Sequence, residues 1–263
     1  MTAERHDGWS ARFRLGVIVP HADVGPEAEL QAMAPPEVTV HAGRVHFSAM
    51  RAGGVMDPKI PHDPVLAFVE PPLIDDAVEL LADAPLDVIA LGFTSSAYKL
   101  GREGEGELLR RLERRSRGIP LISGGSAASD ALRALDVQRL ALVHPPWFDE
   151  ELDALGARYF GTHGFDVTHH GPAPLPSDQS AIGVADVADV VDAVAELAGD
   201  ADGVFIAGNG FRAAGAIADL EERLGVPVVT ANQVLLWRAL RGVDGIGPIR
   251  GFGRLLAGER VPV

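Results

Sequence analysis

The chain is written twice, and that repeat constrains its fold more than any other feature. Asp76–Ala82 reads DAVELLA and Asp192–Ala198 reads DAVAELA. Each run leads into an apolar strand ending in a loop of small residues, DVIALGFTSS from Asp87 and DGVFIAGNG from Asp202. A charged helix follows each loop, then another strand, GIPLIS from Gly118 and GVPVVT from Gly225. Upstream, RLGVIVPH from Arg14 matches RLALVHPP from Arg139, and EVTVH from Glu37 matches DVTHH from Asp166. Short apolar runs alternating with helical patterns specify βα units and a mainly parallel sheet. The expected fold is α/β: two similar Rossmann-like or flavodoxin-like halves, each a mainly parallel sheet flanked by helices. A pseudo-twofold relation between them would place the site in the cleft.

The first half is expected over residues 13–124, joined by 231–263, and the second over 125–230. Strands are expected at Phe13–Pro20, Val38–Phe47, Asp87–Gly92, Ile119–Ser123, Arg139–His144, Phe165–His170, Gly203–Ala207 and Val226–Thr230. Helices are expected at Gly25–Met33, Leu73–Ala82, Glu103–Arg117, Ser126–Leu135, Phe148–His163, Ala185–Ala198, Phe211–Leu224 and Gln233–Gly242. Ser48–Val69 is rich in Gly, Pro and Asp and reads as a long loop of the kind that covers binding sites. Met1–Ser10 reads as a loose tail.

Composition removes several classes of function. None of the 263 residues is cysteine, which excludes disulfides, thiolate metal sites and cysteine nucleophiles. A net charge of −14 argues against a nucleic-acid or anionic-membrane surface. No apolar run approaches the roughly 20 residues of a membrane span, and the N-terminus has no signal-peptide pattern. The expected setting is the cytoplasm, and the composition is compatible with a homo-oligomer. No GxGxxG stands at a strand–helix turn, and neither a P-loop nor a GxSxG elbow is present, so no cofactor is expected.

In open parallel sheets ligands bind beyond the carboxyl ends of the strands. That rule selects the loops Pro20–Gly25, Phe93–Tyr98, Gly124–Ser126, His144–Trp147 and Gly208–Arg212. The stretches LGVIVPHADVGPE from Leu15, LGFTSSAYKLG from Leu91 and DGVFIAGNGFRAAGAIADLEERLGVPVV from Asp202 resemble the aspartate/glutamate racemase superfamily. The likeness is to its maleate isomerase and arylmalonate decarboxylase branch and covers nearly the whole chain. It implies an enzyme without a cofactor that acts beside a carboxylate, or on a double bond, with cysteines at the ends of the two repeat-related strands.

Phe93 and Gly208 hold the positions of those cysteines, and HPPW at His144–Trp147 stands where many relatives carry a tyrosine. The thiol mechanisms are thus closed to this chain. What the resemblance leaves is a carboxylate-binding set: Thr94, Ser95 and Ser96 after one strand, Asn209 and Gly210 after the other. Small residues and a helix N-terminus suit that task, as they also suit an ordinary strand-to-helix turn. Cysteine is expected to be tolerated at both 93 and 208, with Gly208 the tighter position.

Acid/base candidates are His144, Tyr98 and Asp23. An imidazole titrates near neutrality, a tyrosine can donate a proton, and Asp23 can hold His21, bind an amine or cap a helix. Arg212 can clasp a carboxylate through two hydrogen bonds. His169 and His170, adjacent on a strand, point to opposite faces, and with His41, His46 and His163 they do not make a metal site. Two functions follow. One is a cofactor-independent enzyme acting on a small carboxylic acid, of decarboxylase, isomerase or lyase type, using groups other than cysteine. The other is a non-catalytic small-carboxylate-binding protein that has lost this chemistry.

Overall fold

A computed structural model describes residues 9, 11–177 and 186–258. Apart from Trp9, the expected tail lies outside them, as does Ala185, the expected start of a helix. The first half runs β1 (Phe13–Pro20), α1 (Gly25–Met33), β2 (Val38–Val45), α2 (His62–Val69), α3 (Leu73–Leu81), β3 (Val88–Leu91), α4 (Thr94–Glu113), β4 (Leu121–Ser123) and α5 (Gly124–Ala134). The second runs β5 (Arg139–His144), α6 (Glu150–Thr162), β6 (Asp166–Pro172), α7 (Val187–Leu197), β7 (Gly203–Ile206), α8 (Ile217–Leu224), β8 (Val228–Thr230), α9 (Ala231–Leu240) and α10 (Gly253–Ala257).

The repeat is real at the level of the sheets. One orders its strands β2-β1-β3-β4 and the other β6-β5-β7-β8, and every pairing within them is parallel. Leu15 pairs with Val88 as Leu140 pairs with Gly203, so corresponding strands enter the two sheets in the same register. The inner strands β3 and β7 are buried at every residue, and β5 at every residue after Arg139. That is the signature of a parallel sheet covered on both faces. The edge strand β6 has no fully buried residue, and a register shift at Leu140/Ala141 sets His169 and His170 opposite Ala141 and Leu142.

Three elements depart from expectation. The loop expected at Ser48–Val69 contains α2, whose Val65, Phe68 and Val69 are buried. Pro58, Pro61 and Pro64 read as breakers, yet Pro61 precedes the first helical residue and Pro64 lies in the first turn, where a missing N–H costs little. Helix α4 has two segments: Gly101, at φ 67° and ψ 177°, leaves the helical region, so a short helical stretch from Thr94 precedes the helix expected from Glu103. The binding loop expected at 94–98 is therefore the first turn of a helix. The helix expected from Phe211 begins with a 3₁₀ turn at Ala214–Ala216 before α8.

Helix α9 opens with a capping box between Thr230 and Gln233 and packs on α5 and α1, whereas α10 packs on β8 and α8. Residues 48–61 form a strap joining β2 to α2, with Met50 and Met56 bridged antiparallel.

Candidate functional site

The carboxyl ends of β1, β3, β5 and β7 converge on one chamber. Its walls are Phe93, Thr94 and Ser95 at the start of α4, the turn Gly208–Gly210, Trp147 and Phe148 after β5, and Met50, Met56 and Ile60 from the strap. Its volume is only about 30 Å³, room for about one water. A cavity of about 450 Å³ lies beyond it, lined mostly by apolar groups and sharing Asp23, Met50, Asn209 and Gly210 with the chamber.

The strap is fastened to the second half. Lys59 Nζ donates to Pro146 O at 3.0 Å and Phe148 O at 2.7 Å, and Ile60 N to Trp147 O at 2.8 Å. His62 Nε2 meets Asp149 at 2.8 Å, and its Nδ1 meets Lys99 Nζ at 3.0 Å and Glu151 at 3.2 Å. The expected covering segment thus lies shut over the site.

At the N-terminus of α4, Thr94 donates twice to Asn209 Oδ1, through its backbone N at 2.9 Å and Oγ1 at 2.7 Å. Ser96 Oγ turns back to Phe93 O at 2.7 Å, while Ser95 lines the chamber. Asn209 Nδ2 donates to Asn232 Oδ1 at 2.8 Å. Asn232 Nδ2 in turn donates to Asn209 O and Glu29 Oε2, both at 2.9 Å. Glu29 Oε1 accepts from Ala213 N and Ala214 N, each at 2.9 Å. Burial pushes the Glu29 carboxyl above its usual range, against the pull of these hydrogen bonds. Neither Glu29 nor Asn232 carries a readable signal in the sequence. Asn232 follows the strand GVPVVT, at the repeat counterpart of the expected loop Gly124–Ser126.

Phe93 and Gly208, where the resemblance sets thiols, both line the chamber. Phe93 packs on Phe68 at 4.3 Å and Phe47 at 5.1 Å between ring centroids, forming an apolar wall. Gly208 has φ 89°, and a Cβ there would overlap the Pro145 ring. The expectation that residue 208 tolerates cysteine is corrected on both counts, since L side chains disfavour positive φ and the space is taken.

Asp23 is the single titratable residue lining the chamber. It is 7% exposed, and its Oδ1 accepts from Gly25 N at 2.9 Å, which steadies the entry to α1. Arg44 Nη1 holds the Asp23 carbonyl at 2.9 Å and Arg44 Nη2 pairs with Glu27 at 2.7 Å. His21 stands apart from both the chamber and the cavity: Phe47 N donates to its Nδ1 at 3.1 Å, tying the ends of β1 and β2. Burial, then the charges of His46 and Arg44, lower its pKa. Arg212 is exposed at the rim of the larger cavity and contributes charge near Glu29.

His144 and Tyr98 do not reach the chamber; both turn into the layer between α4 and α6. His144 is fully buried, its Nδ1 bonded to Asp153 Oδ1, while His170 Nδ1 takes Asp153 Oδ2. His144 Nε2 and the Tyr98 hydroxyl are buried without a partner, and the two rings meet edge to face at 5.4 Å. Burial lowers the His144 pKa despite Asp153, and Asp153 itself is held low because hydrogen bonds from His144 and His170 outweigh its desolvation. Neutral His144 thus donates to an Asp153 carboxylate. The Tyr98 hydroxyl is pushed well above its ordinary pKa by burial, then by Asp153 and Glu105. Asp153 was missed because it falls among the acids opening α6, where Asp149, Glu150 and Glu151 read as first-turn charges. Among the described residues, no three or more His, Asp or Glu are grouped to hold a metal, and no helix is long and apolar enough to cross a membrane.

A family model described as arylmalonate decarboxylase matches residues 15–256. A maleate isomerase of Pseudomonas putida is 28% identical over 254 residues, which is 94% of this chain and 98% of that protein. The arylmalonate decarboxylase of Bordetella bronchiseptica is 29% identical over 180 residues, 64% of this chain and 70% of that one. Among solved structures, the maleate cis-trans isomerase of Nocardia farcinica with a covalently bound succinylcysteine intermediate aligns with a TM-score of 0.79 at 22% identity. That alignment covers 94% of this chain and 99% of that chain. With the doubled parallel sheet and the match across nearly its full length, the chain belongs to the arylmalonate decarboxylase family, in the maleate isomerase and arylmalonate decarboxylase branch of the aspartate/glutamate racemase superfamily.

Proposed function

We propose that the chain is a cofactor-independent enzyme acting on a small carboxylic acid, with Asp23 in place of a thiol as the proton carrier. The observation that carries this reading is that Asp23 alone, of the residues lining the chamber, can take up or release a proton. It faces a helix N-terminus, Ser95 and apolar walls. In such surroundings a carboxylate finds N–H donors, and charge building up beside it is stabilised by preorganised dipoles. The apolar walls also suit a departing CO2, so decarboxylation, isomerisation and elimination all fit the site. His144 and Tyr98 act here as positioning residues: His144 stacks on Phe148 at 5.0 Å, and Phe148 is part of the chamber wall. Arg212 and His21 serve at the rim and at the strand ends.

A substrate enters only when the strap lifts, since 30 Å³ admits little more than water. Proton NMR in D2O with phenylacetate, phenylmalonate, maleate and aspartate tests the proposal. Deuterium incorporation or CO2 loss is expected from the intact chain and is expected to vanish in Asp23→Asn, which keeps an acceptor for Gly25 N. Undiminished turnover in Asp23→Asn removes the role given to Asp23. A chain that binds these acids and turns over none removes the enzyme.

A further inference from the structure

We infer that Glu29 is a positioning residue of the chamber. From α1 of the first half it holds the second half's loop at residues 209–214, and through Asn232 and Asn209 it fixes how Thr94 is held. This rests on the reading of the chamber as the reacting site, and it adds to that reading the group that keeps Asp23 in register with Asn209 and Gly210.

One carboxylate gathers three N–H donors from two distant segments. Glu29 Oε1 accepts from Ala213 N and Ala214 N, and Oε2 from Asn232 Nδ2, all at 2.9 Å. Ala213 and Ala214 open the 3₁₀ turn before α8, which has no side-chain cap of its own, so Glu29 is the acceptor those amides need. Burial disfavours the charge, whereas the three hydrogen bonds and the nearby Arg212 favour it. Both oxygens are spent on the protein, so Glu29 acts through its partners and not on a ligand.

An amide side chain can be turned either way, and here its partners decide. A carboxylate and a backbone carbonyl only accept. Asn232 Nδ2 faces both Glu29 Oε2 and Asn209 O, which leaves Asn232 Oδ1 for Asn209 Nδ2 at 2.8 Å. Asn209 Oδ1 is then left for Thr94, whose N–H and hydroxyl both donate to it. Each link donates to the next, from Thr94 through Asn209 and Asn232, and the run ends on the charge of Glu29. Asn209 and Asn232 are 4% and 1% exposed. Turning either amide sets donor against donor in a buried region, where unpaired polar groups are costly.

The same contact registers the two walls. Asp23 stands two residues before α1, and that helix begins so near the opposite loop that a Cβ at Gly25 would lie 3.7 Å from Gly210 Cα. Asp23, Thr94, Asn209 and Gly210 all line the chamber. Glu29, one turn into α1, is tied to the loop that carries two of them. A slip of that loop against α1 changes the distance from Asp23 to the wall across the chamber, and a misplacement of about 1 Å costs on the order of a hundredfold in rate.

Nuclear magnetic resonance of isotope-labelled protein tests this, together with turnover of phenylacetate, phenylmalonate, maleate and aspartate. Glu29→Gln keeps the size and an acceptor for Ala213 N and Ala214 N, but it turns an NH2 toward Asn232 Nδ2. The Thr94 amide and Asn209 side-chain signals are expected to move while those of the core strands stay in place. A fall in kcat of about tenfold or more is expected, with KM within about threefold and the melting temperature within about 5 °C. Asn232→Ala cuts the run one link nearer the chamber. The same two signals are expected to move while those of Ala213 and Ala214 stay, and this variant stands in if the glutamine variant does not fold. Glu29→Gln with the Thr94 and Asn209 signals in place overturns the inference, whatever its turnover. So does a melt lowered by more than about 10 °C with signals moved throughout both sheets, the mark of a residue that only holds the fold. Signals that move locally with kcat unchanged overturn it as well, since this geometry then does not govern the chemistry. If the intact chain turns over none of these acids and the two signals still move, the tie from Glu29 to Thr94 stands and the small-acid proposal falls.

Discussion

Pro145 and Gly208 meet where β5 and β7 end, and the proline ring fills the space that a side chain at 208 would need. Gly208 also has φ 89°. Strain at positive φ and overpacking add, so Gly208→Cys is expected to cost roughly 2–4 kcal/mol of stability. Phe93 has a negative φ of −150° and packs on Phe47 and Phe68, so Phe93→Cys loses mainly apolar packing. Denaturant melts of Gly208→Cys, Pro145→Ala and the double variant check this. A smaller loss in the double variant than the sum of the singles is expected, because the two residues share one space.

The His144–Asp153–His170 group makes stability depend on pH. In the unfolded chain His144 takes up a proton near 6.5, while burial in the folded chain resists protonation. Below about pH 6.5 the unfolded state therefore binds more protons, and stability falls with pH until the folded value is reached. Asp153, held low by its histidines, adds stability above its unfolded value of 3.8 that is lost as pH falls through its folded value. His21 shifts in the same direction as His144, so the readout is a difference between proteins. The melting temperature is expected to drop between pH 7.5 and 5.5, and to drop less in His144→Gln. An equal slope in the variant would show that His144 does not carry the effect.

The Tyr98 hydroxyl is buried without a hydrogen-bond partner and faces away from the chamber. A buried unpaired polar group costs about 1–3 kcal/mol, so Tyr98→Phe is expected to be neutral or stabilising. Turnover is expected to remain within about twofold of the intact chain. A fall of a hundredfold in kcat with an unchanged melt would assign the hydroxyl to the chemistry.

Lys59 and His62 hold the strap on residues 146–151. Lys59→Met removes two hydrogen bonds worth together about 1–2 kcal/mol, roughly fivefold or more in the open population. Amide exchange over residues 50–61 is expected to quicken accordingly while the core strands keep their protection. The same variant is expected to raise the rate at which a bound acid leaves. Unchanged exchange would show that the strap is held by the burial of Met50, Met56 and Ile60 instead.

Much of the architecture was legible in the sequence, and the reasons are local. Central strands such as VIAL at Val88–Leu91 and GVFI at Gly203–Ile206 are apolar throughout because both faces are covered, and the repeat doubled every signal. Helix α2 was hidden by its prolines, and the start of α4 by the polar run TSSAYKLG, which reads equally as a loop and as a first turn. Of the site residues, Phe93, Thr94, Ser95, Gly208, Asn209, Gly210 and Asp23 line the chamber. His144 and Tyr98 do not, because a strand-end residue and a residue in the first turn of a helix can each face the cleft or the helix layer, and periodicity does not distinguish the two.

By itself, the sequence determined the doubled α/β topology, the loops at which a site can form and the exclusion of cysteine chemistry. These follow from local periodicity, turn residues and composition. Only the tertiary structure decided which strand-end side chains look into the cleft, that the strap closes it, and that Asn209 caps a helix 115 positions away. Those outcomes depend on the angle and distance at which the two halves pack. A contact between chain segments so distant is set by shape and by the need to pair buried donors with acceptors, not by any pattern along the chain.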